Sequence, residues 1–296
     1  MLHRVRAHAV LALIAGLGGT FLWVLPSAGA QPTTTPDFSG LWARMTAGFE
    51  QPKTGPGPIP QMANDRNIGD YNDPILKRQA ADFLRERDAK VLLGLSLPNP
   101  SSQCYPYPPP YILARNQELQ IVQQSNEVLI LDSFDQGVRH VRLNQPHPAH
   151  VTPSWYGDSI GHYEGDTLVV DTIGVKVTPL SMVDLWGTPY TMALHLVERY
   201  RLIDSENRER DMRNAEKALG RFGAGNGIYT DPNYKGKGLQ VRFTVEDPGI
   251  FTSPWSAVVT FSRASGNWPE FVCAENVHQY YSNKDTPVPE ADRPDF

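Results

Sequence analysis

Short runs of β-forming residues, separated by turn residues, fill most of the chain after residue 115. In several runs apolar and polar residues alternate, which places the apolar side chains on one face of a strand. The runs predicted as strands are 40–44, 119–123, 128–134, 138–144, 160–163, 167–172, 194–203, 239–246, 257–262 and 270–277. All their connections are compatible with antiparallel pairing. We therefore predict an all-β fold, an antiparallel barrel of about eight to nine strands whose closure leaves no free edge.

Two segments have helical patterns instead. Asp73 suits the N-cap and Pro74 the first turn of an N-terminal helix over 74–93, where apolar residues repeat at a helical period. The segment 205–238 is first charged and helix-prone and then rich in glycine. We predict that it is an inserted helix and loop between two strands. It is either a solvated decoration or a lid over the barrel mouth.

Residues 1–30 have the features of a secretory signal peptide. Arg4 and Arg6 precede an apolar stretch, and Ala28-Gly29-Ala30 provides a cleavage site of small residues. The apolar stretch is short and interrupted by glycine, which disfavours the alternative of an uncleaved membrane anchor. We predict a periplasmic or secreted protein with no membrane span after cleavage.

The rest of the chain is predicted to form one domain. Residues 31–283 make up the barrel domain, because no clear linker divides them, and 284–296 form a loosely held tail rich in Pro and Asp. Without residues 1–30 the chain has 25 Lys and Arg against 32 Asp and Glu, a net charge of −7. No basic patch suggests nucleic acid or anionic lipid as a partner.

The chain has two cysteines, Cys104 and Cys273. In an oxidising compartment an even pair usually forms a disulfide, so we predict a bond between them. It would close a loop of about 170 residues and tie an early proline-rich segment to the last predicted strand. A catalytic thiol is the disfavoured alternative.

Several motifs resemble known proteins. Gly40-Leu41-Trp42, at the first predicted strand, resembles the Gly-x-Trp opening of the lipocalin barrels. A larger set resembles a group of secreted bacterial proteins with no established reaction, and it covers most of residues 37–280. Its motifs are Asp37-Phe38-Ser39-Gly40-Leu41-Trp42, Cys104-x-Pro106, Gly157-x-Ser159-x-Gly161-His162-x-Glu164-Gly165-Asp166-Thr167-Leu168-Val169-Val170-Asp171-Thr172, Leu194-His195-x-Val197-Glu198-Arg199, Glu246-Asp247-Pro248 and Cys273-x-Glu275-Asn276. The resemblance implies a secreted protein with a lipocalin-like barrel.

The chain departs from that group's pattern in two places. The group usually has Gly-His-Ser where this chain has Gly157-Asp158-Ser159. This difference puts a metal role for position 158 in doubt and draws attention to Asp158. The insertion at 205–238 is also longer than the group's usual turn.

Strand alternation sorts the side chains of 194–203. Glu198 shares a face with the leucines, where burial raises the pKa of a carboxyl and suits it to proton transfer, so it is a candidate acid or base. Under this catalytic interpretation we take Arg199 as its charge partner. Alternatively Glu198 forms a structural ion pair with an arginine. The opposite assignment, with His195 and Arg199 facing the ligand inside the barrel, is compatible with the same periodicity.

Polar and aromatic residues are concentrated over 155–162. Asp158 and His162 are predicted to form an acid–base pair, because a carboxylate orients an imidazole and tunes its pKa. The alternative for His162 is a rim position where the backbone satisfies its ring. Trp155 and Tyr156 either stack on a ring-shaped ligand or only cap the barrel.

Other chemistries have less support. The sequence holds neither a His-Glu-x-x-His nor a Cys-x-x-Cys motif, so we expect no metal. The run 157–161 matches Gly-x-Ser-x-Gly, but the strand–turn–helix context of a serine hydrolase is missing. No glycine-rich phosphate loop occurs in a βαβ context, so we expect no nucleotide cofactor.

These patterns give two functional hypotheses. The first is an exported, cofactor-independent acid–base enzyme of the lyase, isomerase or cyclase type, acting on a small hydrophobic or aromatic molecule held in the barrel. Asp158, His162 and Glu198 are its candidate catalytic residues, and Trp155, Tyr156, His195 and Arg199 its candidate substrate contacts. The second is a periplasmic carrier that binds the same kind of molecule without chemistry. A homo-oligomer is compatible with both.

Overall fold

The computed structural model describes residues 35–62, 68–220, 229–266, 268 and 271–273. Its contacts divide the chain into Met1–Thr33 and Thr34–Phe296, and all the described residues belong to the second unit. The predicted signal peptide and C-terminal tail lie outside the described residues, as does most of the strand predicted over 270–277.

The described chain contains ten strands, three α-helices and a short 3-10 helix over Ser101–Gln103. The strands are β1 (Gly40–Ala43), β2 (Leu119–Gln123), β3 (Glu127–Asp132), β4 (Val138–Leu143), β5 (Asp158–Glu164), β6 (Thr167–Ile173), β7 (His195–Ile203), β8 (Tyr229–Thr230), β9 (Gly238–Glu246) and β10 (Trp255–Ser265). The helices are α1 (Arg78–Leu92), α2 (Tyr111–Ala114) and α3 (Ser205–Leu219).

Nine of these strands close into a barrel. They pair in the order β1-β2-β3-β4-β5-β6-β7-β9-β10, and β10 pairs back onto β1, with Trp42 opposite Arg263. The short β8 pairs with the end of β10. The predicted all-β barrel with a few helices is confirmed.

One part of the predicted topology is wrong, because β4 and β5 run parallel, with Val141 opposite Ser159. The other eight junctions of the ring are antiparallel. Closing a ring requires an even number of direction changes, so nine strands cannot all alternate. At the parallel junction the chain must return the length of the barrel, and residues 144–157 do so without a helix or strand.

The inner face of the barrel holds the core. On β7 the side chains of Leu196, Glu198 and Tyr200 are buried, while Arg199 and Arg201 on the alternate face are exposed. Opposite them on β9, Val241 and Phe243 are also buried. The leucine face of this strand is therefore the inner one, and His195 and Arg199 lie outside.

The helices differ slightly from their predicted bounds. Asp73 does not cap α1, because its Oδ1 accepts a hydrogen bond from the Ile75 amide at 2.9 Å in a turn that precedes the helix. Helix α3 begins where expected, after the N-cap Asp204, whose Oδ1 accepts from the Asn207 amide at 2.8 Å. It packs on the outer face of β9 and β10, where Asp211 Oδ2 accepts from Gln240 Nε2 at 3.0 Å.

A covalent link joins the segment between α1 and α2 to the last described residues. Cys104 and Cys273 form the predicted disulfide, with their Cα atoms 5.5 Å apart. None of the described helices has both the length and the apolar character that crossing a membrane requires.

Candidate functional site

Glu198 lies at the centre of a polar network inside the barrel. Its side chain is fully buried, and Oε1 accepts hydrogen bonds from Arg139 Nη1 at 3.0 Å and from the Tyr200 hydroxyl at 2.8 Å. Oε2 accepts from Arg139 Nη2. The structure therefore places Glu198 in an ion pair with an arginine, which agrees with the second of the two interpretations drawn from the sequence. Its partner is Arg139 and not Arg199, which lies on the other face of the strand.

The remaining members of this network accept hydrogen bonds from Arg139. Arg139 donates from Nε to the Ser159 hydroxyl at 3.0 Å and from Nη2 to the Thr172 hydroxyl at 2.6 Å, and the two hydroxyls lie 2.9 Å apart. Burial opposes the charge of Arg139, yet the charge of Glu198 and the hydrogen bonds to it leave the pKa of the guanidinium above its usual value. Burial, followed by the Glu198 charge, raises the pKa of the Tyr200 hydroxyl.

The structure does not bring Asp158 and His162 together. Both face outward on β5, four residues apart, but each has another partner. Asp158 Oδ1 accepts from Arg142 Nη2 at 2.7 Å and lies 2.6 Å from His147 Nδ1. The exposed His162 contacts Glu164 at 3.1 Å through Nε2. The predicted acid–base pair is therefore not formed.

Asp158 instead begins a chain of alternating acids and histidines across the outer wall. His147 Nε2 lies 3.1 Å from Asp171 Oδ1, and the same oxygen lies 3.1 Å from His195 Nε2. Beyond His195, Nδ1 is 3.8 Å from Glu246 Oε2. The contacts of His147 with Asp158 and Asp171 hold the 144–157 segment against the barrel.

The two predicted aromatic contacts have structural partners. The ring of Trp155 meets that of Tyr105 edge-on, with centroids 5.2 Å apart, and the Lys176 ammonium lies 5.1 Å from its centroid. The hydroxyl of Tyr156 donates to Asp135 Oδ2 at 2.9 Å. Burial, and then the charge of Asp135, raises the pKa of this hydroxyl.

Asp135 is one of two neighbouring carboxylates at the turn between β3 and β4. Its neighbour Asp132 is buried, and Asp132 Oδ2 has no hydrogen-bond partner within the described part of the chain. Burial raises the pKa of Asp132 to about 7, and the charge of Asp135 contributes in the same direction.

A large depression lies outside the barrel, and we call it the outer groove. It has a volume of about 980 Å³, within the range of small-molecule sites. Its floor is the outer face of β7, β9 and β10, and α3 and the loops 48–61 and 184–186 form its walls. Helix α3, the first part of the inserted segment, thus forms one wall of this groove.

Glu50 is the unusual side chain of the outer groove. The carboxyl is largely shielded from water, and Oε1 has no hydrogen-bond partner among the described residues. Burial raises the pKa of Glu50 to about 7, because the partly opposing charge of Arg44 does not offset the loss of hydration, and Asp211 adds to the rise. A carboxyl with these properties suits proton transfer near neutral pH.

The position of Glu50 follows from strand register. It forms an antiparallel bridge with Val258, and Val258 lies opposite Arg242 in the pairing of β10 with β9. Residues directly opposite in antiparallel strands point to the same face. Glu50, Val258 and Arg242 therefore form one row across the floor of the outer groove.

Two charged residues are missing from the sequence-based predictions for different reasons. Arg139 was detectable, since it alternates with Val141 and Leu143 on β4 and so lies on an apolar face. Glu50 carries no periodic signal, because it lies in an irregular segment held by a single bridge.

Histidine, cysteine, aspartate and glutamate side chains are the usual protein ligands of metal ions. In the ranges that the structure describes, no group of three or more His, Cys, Asp or Glu side chains is arranged to hold a metal ion. The cluster of His147, Asp171 and His195 is held together by the acid–histidine contacts given above.

No protein-family model, no curated protein and no solved structure matches this chain. Its function is therefore inferred from the geometry and chemistry of its sites.

Proposed function

We propose that the protein is an exported, cofactor-independent acid–base enzyme of the lyase or isomerase type. Its substrate is a small molecule bound in the outer groove. The observation that supports this most is the Glu50 carboxyl on the floor of the outer groove, which has a volume of about 980 Å³. This carboxyl is shielded from water and has an unpartnered oxygen among the described residues. The disulfide agrees with export to an oxidising compartment.

The outer groove is preferred to the barrel interior as the substrate site. Among the described residues, large buried side chains such as Trp42, Tyr200 and Phe243 fill the interior. Both oxygens of Glu198 already accept hydrogen bonds, from Arg139 and from the Tyr200 hydroxyl. Glu50 has an oxygen without such a partner among the described residues.

The chemistry assigned to Glu50 is proton transfer within one substrate. The ionised carboxylate accepts a proton from the substrate, and the resulting acid returns it at another atom or to a departing group. No electrons are exchanged and no second reactant is consumed. A carboxyl whose pKa is about 7 can act in both directions near neutral pH.

The test compares the parent protein with Glu50→Gln, which keeps the size of the side chain and removes its acid–base chemistry. Each protein is incubated with a small-molecule extract of the producing cells, and mass spectrometry follows bound and consumed compounds. We expect the parent to convert a compound that it binds. Glu50→Gln should bind the same compound, but the rate of conversion should fall by a factor of about 100 or more.

Glu127→Gln is the matched control, because Glu127 lies on the far side of the barrel beside His140. It should convert the compound at the parent rate. Conversion by Glu50→Gln at that rate would contradict the proposal. Binding without conversion by all three proteins would favour the carrier hypothesis.

A further inference from the structure

Two arginines face each other on the floor of the outer groove. Arg199 on β7 lies directly opposite Arg242 on β9, and both side chains are exposed on the outer face. Like charges in directly opposed positions destabilise a sheet. A negative charge beside the two guanidinium groups would therefore stabilise this arrangement.

The described side chains supply only part of that charge. Arg199 donates to Glu164, which lies on β5, on the side of Arg199 away from Arg242. Arg242 donates from Nε to the neutral Gln240 side chain at 3.1 Å. In the described ranges no carboxylate lies within 4 Å of the Arg242 guanidinium, so both of its Nη groups are left for a ligand.

We propose that Arg199 and Arg242 form an anion subsite that takes the carboxylate of a planar, apolar organic acid. A guanidinium binds a carboxylate through two parallel hydrogen bonds, and a second guanidinium adds charge without competing for the same lone pairs. The protein is acidic as a whole, so a local pair of cations is selective for an anion at this point of the surface.

The surroundings of the pair suit an apolar body attached to the anion. Val258 borders Arg242 on one side, and Val197 lies one outward position along β7 from Arg199. Trp186 also lines the outer groove, where its Nε1 donates to the Ile59 carbonyl at 3.2 Å. Gly69 fits against this indole, since a Cβ there would lie 2.9 Å from Trp186 Cβ.

Binding of the anion by Arg199 and Arg242 does not depend on the proposed function. Only the proton transfer by Glu50 that follows binding rests on it. Glu50 and Arg242 are separated by one strand, which corresponds to about 10 Å between their backbones. Both side chains are long and face the same groove. An acid with its carboxylate on Arg242 therefore extends over Val258 towards Glu50.

The experiment measures binding of benzoate, benzamide, acetate and inorganic phosphate by titration calorimetry at low ionic strength. We expect benzoate to bind at least tenfold more tightly than benzamide, which lacks the charge, and than acetate or phosphate, which lack the ring. Arg242→Gln and Arg199→Gln should each weaken benzoate binding at least tenfold. Added salt should weaken binding to the parent.

Arg213→Gln is the matched control, because Arg213 is an exposed arginine of α3 that pairs with Glu209 outside the outer groove. It should bind benzoate like the parent. Equal binding of benzamide and benzoate would overturn the inference, as would equal binding of acetate or phosphate or an unchanged affinity in Arg242→Gln.

The two proposals fail in different ways. If the extract contains a neutral compound whose conversion needs Glu50 while benzoate does not bind, the anion subsite is wrong and the enzyme stands. If benzoate binds through Arg242 but no conversion depends on Glu50, the subsite stands and the enzyme is wrong.

Discussion

The inner and outer faces of the same strands hold charged residues in opposite circumstances. Inside, Glu198 and Arg139 are buried, and each hydrogen-bonds to the other and to a neighbouring hydroxyl. Outside, Glu50 has an unpartnered oxygen, and Arg242 has two unpartnered Nη groups within the described chain. Burial alone therefore does not mark a functional carboxyl. The better sign is hydrogen-bonding capacity that the protein itself leaves unused.

The largest effect expected from this comparison is on folding. Glu198→Ala leaves Arg139 as an uncompensated charge in the barrel, which should lower the free energy of unfolding by about 3–5 kcal/mol. Urea denaturation measures it. The control is Arg201→Ala, which removes an exposed arginine that pairs with Asp166 and should cost at most about 1 kcal/mol. Equal losses in the two variants would show that the interior pair has no special role.

The second effect concerns pH and the outer groove. Because the folded-state pKa of Glu50 is raised from 4.5 to about 7, the native state binds more protons than the unfolded state between these values. Its contribution to stability is therefore full below about pH 4.5 and is lost as pH rises to 7. Glu50→Gln should be more stable than the parent at pH 8, by about 1–3 kcal/mol.

Asp204→Asn is the control, because the contribution of Asp204 to stability changes with pH in the opposite direction. The backbone amide of Asn207 lowers the pKa of Asp204, so its contribution is present above the unfolded value and is lost as pH falls. Thermal unfolding between pH 4 and 8 follows both variants. A Glu50→Gln protein whose stability differs from the parent by the same amount at every pH would show that Glu50 does not titrate in this window.

The smallest effect tests how completely the interior network is satisfied. Tyr200→Phe removes the hydroxyl that donates to Glu198 Oε1 at 2.8 Å but leaves Arg139 in place. We expect a loss of about 1–2 kcal/mol in urea denaturation. Tyr234→Phe removes an exposed hydroxyl that donates to the Lys237 carbonyl and should cost about 0.5 kcal/mol or less. A larger loss for Tyr234→Phe would reverse the comparison.

The fold could be predicted because strand periodicity is a local property. The strand predicted over 119–123 matches β2, and the leucine face of 194–203 is the inner face of the barrel. Strand direction is not encoded in that period. The parallel β4–β5 junction follows from closing nine strands into a ring, and no single strand shows how many others will join it.

The candidate site could be predicted much less well. The sequence predicts Asp158 and His162 as a pair because both lie in the polar and aromatic run 155–162. In the structure Asp158 contacts Arg142 and His147, and His162 contacts Glu164 on the same strand. Glu50 reaches the outer groove through a single bridge to Val258, more than 200 positions further along the chain. A contact of that kind depends on the closed barrel, so it has no signature in the sequence around Glu50.

The disulfide also determines how the protein responds to a pulling force. Cys104 and Cys273 are separated by 169 residues, and every strand from β2 to β10 lies between them. Tension applied at the two ends of the chain passes through the sulfur–sulfur bond and bypasses those strands. About 600 Å of extensible chain is thereby withheld, so under load only the segments outside the loop, β1 and α1 among them, can unravel.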